Sequence, residues 1–142
     1  MPQYSNVSKS RLETVHQDVQ TICHYAIQII DFSVVFGHRT DKEQFAIYQK
    51  GRKFVYEKWV VIGKVFTYKD GYKLKSRHQS GEAIDLTPYP GGYNATPAQW
   101  HRLAGTLKAT AYLLKKYGDI EHDINWGYDL WRWESAHWEL KK

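Results

Sequence analysis

His78 and Asp85 lie in the run Ser76-Arg77-His78-Gln79-Ser80-Gly81-Glu82-Ala83-Ile84-Asp85, and Glu134 and His137 lie in Glu134-Ser135-Ala136-His137-Trp138-Glu139. Together they offer two imidazoles, one carboxylate ligand and one spare carboxylate. Zinc prefers imidazole nitrogen and carboxylate oxygen in a tetrahedral shell, and a catalytic zinc keeps three protein ligands with a fourth position open for water. The spare carboxylate then serves as a general base that does not touch the metal. A closed, cysteine-rich structural zinc site is excluded, because Cys23 is the single cysteine.

Each residue also has a plainer reading. Asp85 in the apolar setting Ala83-Ile84-Asp85-Leu86 is costly unless paired or metal-bound, but an aspartate at a strand end can simply cap a turn. Gly81 allows the sharp turn that would bring His78 and Asp85 to one place. On a flat strand Glu134 and His137 would face opposite sides, so a shared site requires a bend at Ser135-Ala136. The plainer alternative is a surface glutamate beside a half-buried histidine. Arg39, where a strand gives way to a helix, can bind a carboxylate or stabilise a developing oxyanion, or it can be a solvated arginine. His16, His24, His101 and His122 show no ligand spacing. The chain has no His-Glu-x-x-His helix, glycine-rich phosphate loop or Gly-x-Ser-x-Gly elbow.

The elements that must position these residues are partly legible. Ser10 to Glu13 reads as a capping box opening one amphipathic helix over residues 9–29, with Leu12, Val15, Val19, Ile22, Ala26 and Ile30 at helical spacing. Cys23 falls on its apolar face. Phe32 to Phe36 reads as a strand, and Thr40 with Glu43 as a capping box for a short helix ending near Gly51. Residues 52–75 carry a β-branched run, Val60-Val61-Ile62, and a turn signal at Asp70-Gly71, but no assignable element. Ala83 to Leu86 reads as a buried strand. Thr96-Pro97-Ala98-Gln99 opens a helix with the stripe Trp100, Leu103, Leu107, Ala111 and Leu114, closed by Gly118. Two short strands are expected over Trp126–Trp131 and His137–Leu140. Helices and strands mix without a βαβ rhythm, so the class is α+β: a small, mostly antiparallel sheet with flanking helices.

The length, 142 residues, suits one catalytic domain over 1–142. The opening Met1-Pro2-Gln3-Tyr4-Ser5-Asn6 is polar, so no secretory signal is expected and synthesis is placed in the cytoplasm. No apolar run approaches a membrane span. Net charge is +5, which favours an anionic partner: nucleic acid, a membrane surface or an acidic wall polymer. The basic residues are dispersed, with a mild cluster at Lys50, Arg52, Lys53, Lys58, Lys64, Lys69, Lys73, Lys75 and Arg77. A nucleic-acid reading rests on charge alone, without a motif.

The order of the motifs is more specific than any one of them. Arg39-Thr40 with Glu43-Gln44, Tyr48 and Gly51-Arg52 comes first. Ser76-x-His78-x-x-Gly81-x-Ala83-x-Asp85 follows, then Trp126-Gly127, then Glu134-x-x-His137-Trp138-Glu139. This resembles the zinc peptidases of the D-Ala-D-Ala carboxypeptidase type, which include phage endolysins that cut the L-alanyl-D-glutamate bond. The resemblance runs from about Leu12 to Leu140. It implies a Hedgehog/DD-peptidase-like fold, Zn2+ on His78, Asp85 and His137, Glu134 as base, Arg39 as carbonyl or oxyanion partner, and Ser76 in contact with substrate. Two departures stand out: Ala136 where many such endolysins have proline, and Tyr128 where a second glycine is usual. Both are expected to line the cleft.

The implied function is a phage or prophage endolysin acting on bacterial peptidoglycan. It would be a monomer without stable membrane association or nucleic-acid binding, released from the host cytoplasm after membrane permeabilisation. The alternatives are a D-Ala-D-Ala carboxypeptidase or dipeptidase, and a zinc-holding binding module without catalysis. The intact Glu134 speaks against the last, since a metal scaffold needs no free base.

Overall fold

Capping residues set most of the helix boundaries. In the computed structural model, which describes residues 3–142 and leaves Met1 and Pro2 outside the described residues, helix α1 spans Asn6–Leu12 and α2 spans Gln17–Ala26. Strand β1 is Phe32–Phe36 and helix α3 is Asp41–Gln49. Strands β2, Arg52–Val55, and β3, Lys58–Val61, form a separate hairpin. Strand β4 is Ala83–Pro88, and a turn of 3-10 helix covers Gly92–Asn94. Helix α4 is Pro97–Lys116, β5 is Ile124–Trp126, α5 is Gly127–Trp131 and β6 is His137–Leu140. The class is α+β, as expected.

The main sheet is four-stranded, in the order β1-β4-β6-β5, and every pairing is antiparallel. Helices α2 and α4 pack against one face. Ile84 and Leu86 of β4, Trp138 and Leu140 of β6, and Phe32 and Val34 of β1 meet Ile22, Cys23, Leu103 and Leu107 there. Each such side chain, taken fully out of water, contributes about 1.5–3 kcal/mol. Strand β4 is buried at every position. Its core face holds Ile84 and Leu86, and its other face presents Asp85.

Both Thr capping boxes form as expected, on Thr40 with Glu43 and on Thr96 with Gln99. Gly118, at φ +82°, closes α4: Asp119 N–H donates to Leu114 O and Gly118 N–H to Lys115 O.

The single helix expected over 9–29 is two helices. Ser10 lies inside α1, whose N-cap is Ser5. The chain breaks after Leu12 so that His16 can cap α2, with Nδ1 accepting from Asp18 N–H at 2.9 Å. His16 N–H then reaches Gly81 O at 2.8 Å. The apolar periodicity hides the break because Leu12, Val15 and Val19 are all buried on both sides of it.

The strand expected over Trp126–Trp131 stops at Trp126. A Cβ on Gly127 would lie 2.7 Å from Glu134 O and 3.0 Å from His137 Cβ. The chain turns into α5 at this crowded point. Residues 52–61, unassigned from sequence, form the hairpin, whose tip places Tyr56 and Glu57 at φ +50° and +63°.

Candidate active site

Strand register brings the central pair together. Asp85 of β4 sits directly opposite His137 of β6. His78 arrives from the turn before β4, where Gly81 adopts φ +76° and Glu82 N–H closes onto Arg77 O. His78 Nε2 lies 3.1 Å and His137 Nδ1 3.3 Å from the same atom, Asp85 Oδ1. All three residues are buried, and their ligand atoms are close enough together to hold one metal ion.

The outer nitrogen of each ring is already committed. His78 Nδ1 faces Gly37 O at 2.9 Å, and His137 Nε2 faces Glu139 Oε1 at 2.8 Å. Both partners only accept, so each ring donates outward. Neutral rings then aim two lone pairs at a carboxylate oxygen, which repels them. A proton on His137 relieves one of these contacts, and a divalent cation relieves both. The donor set therefore fits a metal such as zinc, with the second-layer hydrogen bonds that fix ligand tautomers.

Charge follows the same geometry. Burial opposes ionisation of Asp85, but the two imidazoles outweigh it and hold the carboxyl below the usual carboxylate range. Burial likewise lowers His137, yet its bonds to Asp85 and Glu139 prevail and push it up to about 9. Burial and the negative charge of Asp85 raise Glu134 above its ordinary value.

Glu134 leaves the β6 line through bends at Ser135 and Ala136, as the shared site required. Trp126 Nε1–H fastens this bend by donating to Ser135 O at 2.7 Å. The missing Cβ at Gly127 lets the bend and His137 approach this closely, since a Cβ there would lie 2.7 Å from Glu134 O.

A cleft of about 490 Å³ opens over these groups, and its lining includes Arg39, Ser76, His78, Asp85, Glu134 and His137. All the residues expected in the site therefore share it. Arg39 is held more tightly than a substrate contact alone would need. Its Nη2 donates to Asp85 Oδ2 at 3.2 Å and its Nη1 to Gln44 Oε1 at 3.1 Å, with the guanidinium over the Phe36 ring. Ser76 Oγ accepts from His78 N–H at 3.2 Å, leaving its hydroxyl proton free to donate.

Several supporting residues carried no assigned role in the sequence. Glu139, two positions after His137 on the same face of β6, orients that ring and is itself held by Arg77 Nη1 at 3.0 Å. Its place in the run after His137 was the available signal. Gln44 is fully buried, and its amide bridges Arg39 to Lys69 O. Tyr93, whose phenol burial and the charge of Asp85 push up to about 12, stays protonated beside the site. Ala136 and Tyr128, expected to line the cleft, do not. Ala136 is buried with its carbonyl bonded to Leu86 N–H, and Tyr128 packs on Trp126 and His101. His38 faces Gln79 O outside the cleft. His16 and His122, remote in sequence, meet at Asp18. There Asp18 Oδ2 accepts from Glu121 N–H, His122 N–H and His122 Nδ1.

A family model described as phage L-alanyl-D-glutamate peptidase matches residues 2–142. Among solved structures, the Serratia marcescens L-Ala D-Glu endopeptidase ChiX is similar, at 19% sequence identity and a TM-score of 0.69. The match covers 98% of this chain and 90% of that one, and at this identity it speaks for the shared fold. No curated protein sequence matches the chain.

Proposed function

The chain belongs to the phage L-alanyl-D-glutamate peptidases, and from that premise we propose that it cuts this bond in peptidoglycan with zinc held by His78, Asp85 and His137. The observation that carries the metal reading is the convergence of two outward-donating imidazoles on Asp85 Oδ1. A zinc ion bound there supplies Lewis acidity, which acidifies a water and polarises the scissile carbonyl.

The remaining steps fall to the chain's own residues. Glu134 takes a proton from the attacking water as the new carbon–oxygen bond forms. It delivers that proton to the amine nitrogen as the carbon–nitrogen bond breaks. Arg39 fixes Asp85 through Oδ2 and brings positive charge to the side where the carbonyl oxygen becomes negative. Ser76 donates its hydroxyl proton to the bound peptide. Cleavage leaves a carboxylate on L-alanine and a free amine on D-glutamate.

Among the described residues no helix is long and apolar enough to cross a membrane. We propose an endolysin made in the host cytoplasm and acting as a monomer on the wall once the membrane is permeabilised. Mass spectrometry of digested sacculi tests the bond. New amino-terminal D-glutamate is expected, and free D-alanine as the sole product overturns the assignment.

A further inference from the structure

The positive charge of the chain is local. Nine of its 20 Lys and Arg residues, but two of its 15 Asp and Glu residues, lie between Lys50 and Arg77. That segment carries +7 against a chain total of +5, so the rest of the protein is net negative. The segment comprises the β2–β3 hairpin and the loop that forms one wall of the cleft.

The hairpin has two unlike faces. Phe54 pairs with Trp59 and Arg52 with Val61 across the strands. Trp59 packs on Phe45 and Tyr48 of α3, and Arg52 lies over the Tyr48 ring at 3.8 Å. This face anchors a two-stranded sheet that would be marginal alone. The opposite face carries the pairs Lys53–Val60 and Val55–Lys58. Tyr56 stands at the tip, 94% exposed. Tight hairpin turns with two positive φ angles favour Asn-Gly, yet Tyr56-Glu57 occupies this one. The tip thus keeps a large side chain where the backbone favours a small one.

The cationic band is continuous with the cleft. Lys50 and Lys64 both lie over the Phe66 ring, and Phe66 and Lys69 line the cleft. We propose that the outward hairpin face and tip bind the carboxylate-bearing glycan–peptide polymer beyond the scissile bond. The hairpin is thereby a built-in wall-binding arm. Charge complementarity with an anionic polymer and continuity with the cleft identify the occupant as the polymer being cut. The proposal rests on the peptidoglycan reading above.

The test uses the zinc-loaded Glu134→Gln chain, which can be incubated with substrate, and measures co-sedimentation with purified sacculi. Binding should weaken on raising salt from about 50 to about 300 mM, as surface charge is screened. Adding Lys53→Glu, Tyr56→Ser and Lys58→Glu should weaken it by about tenfold, with the melting temperature unchanged. Lys53→Ala with Lys58→Ala serves as a milder second variant and should weaken binding less. Vesicles of phosphatidylglycerol should bind poorly and without regard to these substitutions. Unchanged sacculus binding in a folded triple variant overturns the proposal. So does vesicle binding as strong as sacculus binding and lost in that variant, which would make the arm a lipid-binding element. The bond cut is read separately by mass spectrometry, so failure of the arm is distinguished from failure of the peptidase reading on which it rests.

Discussion

Replacing Glu139 with alanine should weaken zinc binding while leaving every proposed metal ligand in place. His137 Nε2 donates to Glu139 Oε1 at 2.8 Å, and Arg77 Nη1 steadies Glu139 Oε2 at 3.0 Å. The Glu139 side chain is 13% exposed, so water replaces it poorly. A hydrogen bond to a charged partner contributes about 1.5–3 kcal/mol, and tenfold in affinity is about 1.4 kcal/mol. The expected loss is therefore about 10–100-fold, the range found when outer partners of metal ligands are removed. Competition with a chromophoric chelator measures it. Glu139→Gln keeps an acceptor and loses the charge, so it should fall between wild type and alanine. Arg77 retains Glu82 and Leu140 O as partners, which limits collateral damage, and a thermal melt checks the fold. Glu139 lines the cleft but acts here through the ring of His137, so activity should recover at saturating zinc. Zinc affinity of Glu139→Ala within about twofold of wild type would refute the reasoning.

Glu134→Ala should retain zinc and lose turnover by about 10²–10⁴-fold; near-normal turnover with full metal occupancy removes Glu134 as base. Arg39→Ala should lower both zinc affinity and turnover, because it releases Asp85 Oδ2 as well as the cleft cation. Arg39→Lys should rescue poorly, since one ammonium cannot bridge Asp85 and Gln44 together; zinc titration and steady-state kinetics read the two effects. His137 stays protonated in the metal-free site up to about 9, and metal binding needs it neutral. Zinc affinity should therefore climb as pH rises toward that value, with a proton released on binding; calorimetry in buffers of different ionisation enthalpy detects it. Asp18, held below its ordinary value by its bonds to His122 and the Glu121 and His122 amides against an opposing burial effect, should stabilise the fold fully above the ordinary aspartate pKa of about 3.9. That contribution should fade as pH falls through the depressed folded value, and Asp18→Asn should flatten the pH dependence of urea unfolding.

The site was legible in the sequence because its chemistry is concentrated in short runs. His78, Gly81 and Asp85 are tied by one turn and the start of one strand, so the run was visible locally, while their role as ligands came from the resemblance and not from spacing. The Glu134–His137 pair demanded a bend at Ser135-Ala136, since a straight strand could not serve both, and the bend is there. Contacts across the chain were hidden. Nothing local says that Gly37 O would receive His78 Nδ1, or that Gln44 would join Arg39 to Lys69 O. The helix break at residues 13–16 was hidden for a different reason. Hydrophobic spacing reports which face is buried, and both α1 and α2 bury theirs against the same core. The capping histidine that separates them is an unusual choice, as Ser, Thr, Asp and Asn dominate N-caps. His16 serves as the cap through Nδ1, which accepts from Asp18 N–H, while its backbone N–H, which any residue but proline would supply, donates to Gly81 O. The same bond ties the start of α2 to the glycine that turns His78 toward Asp85. The feature that sequence patterns read worst is thus one that holds the best-read motif in place. A proline at position 16 would lack that N–H and should loosen the His78 turn, lowering zinc affinity without touching a ligand.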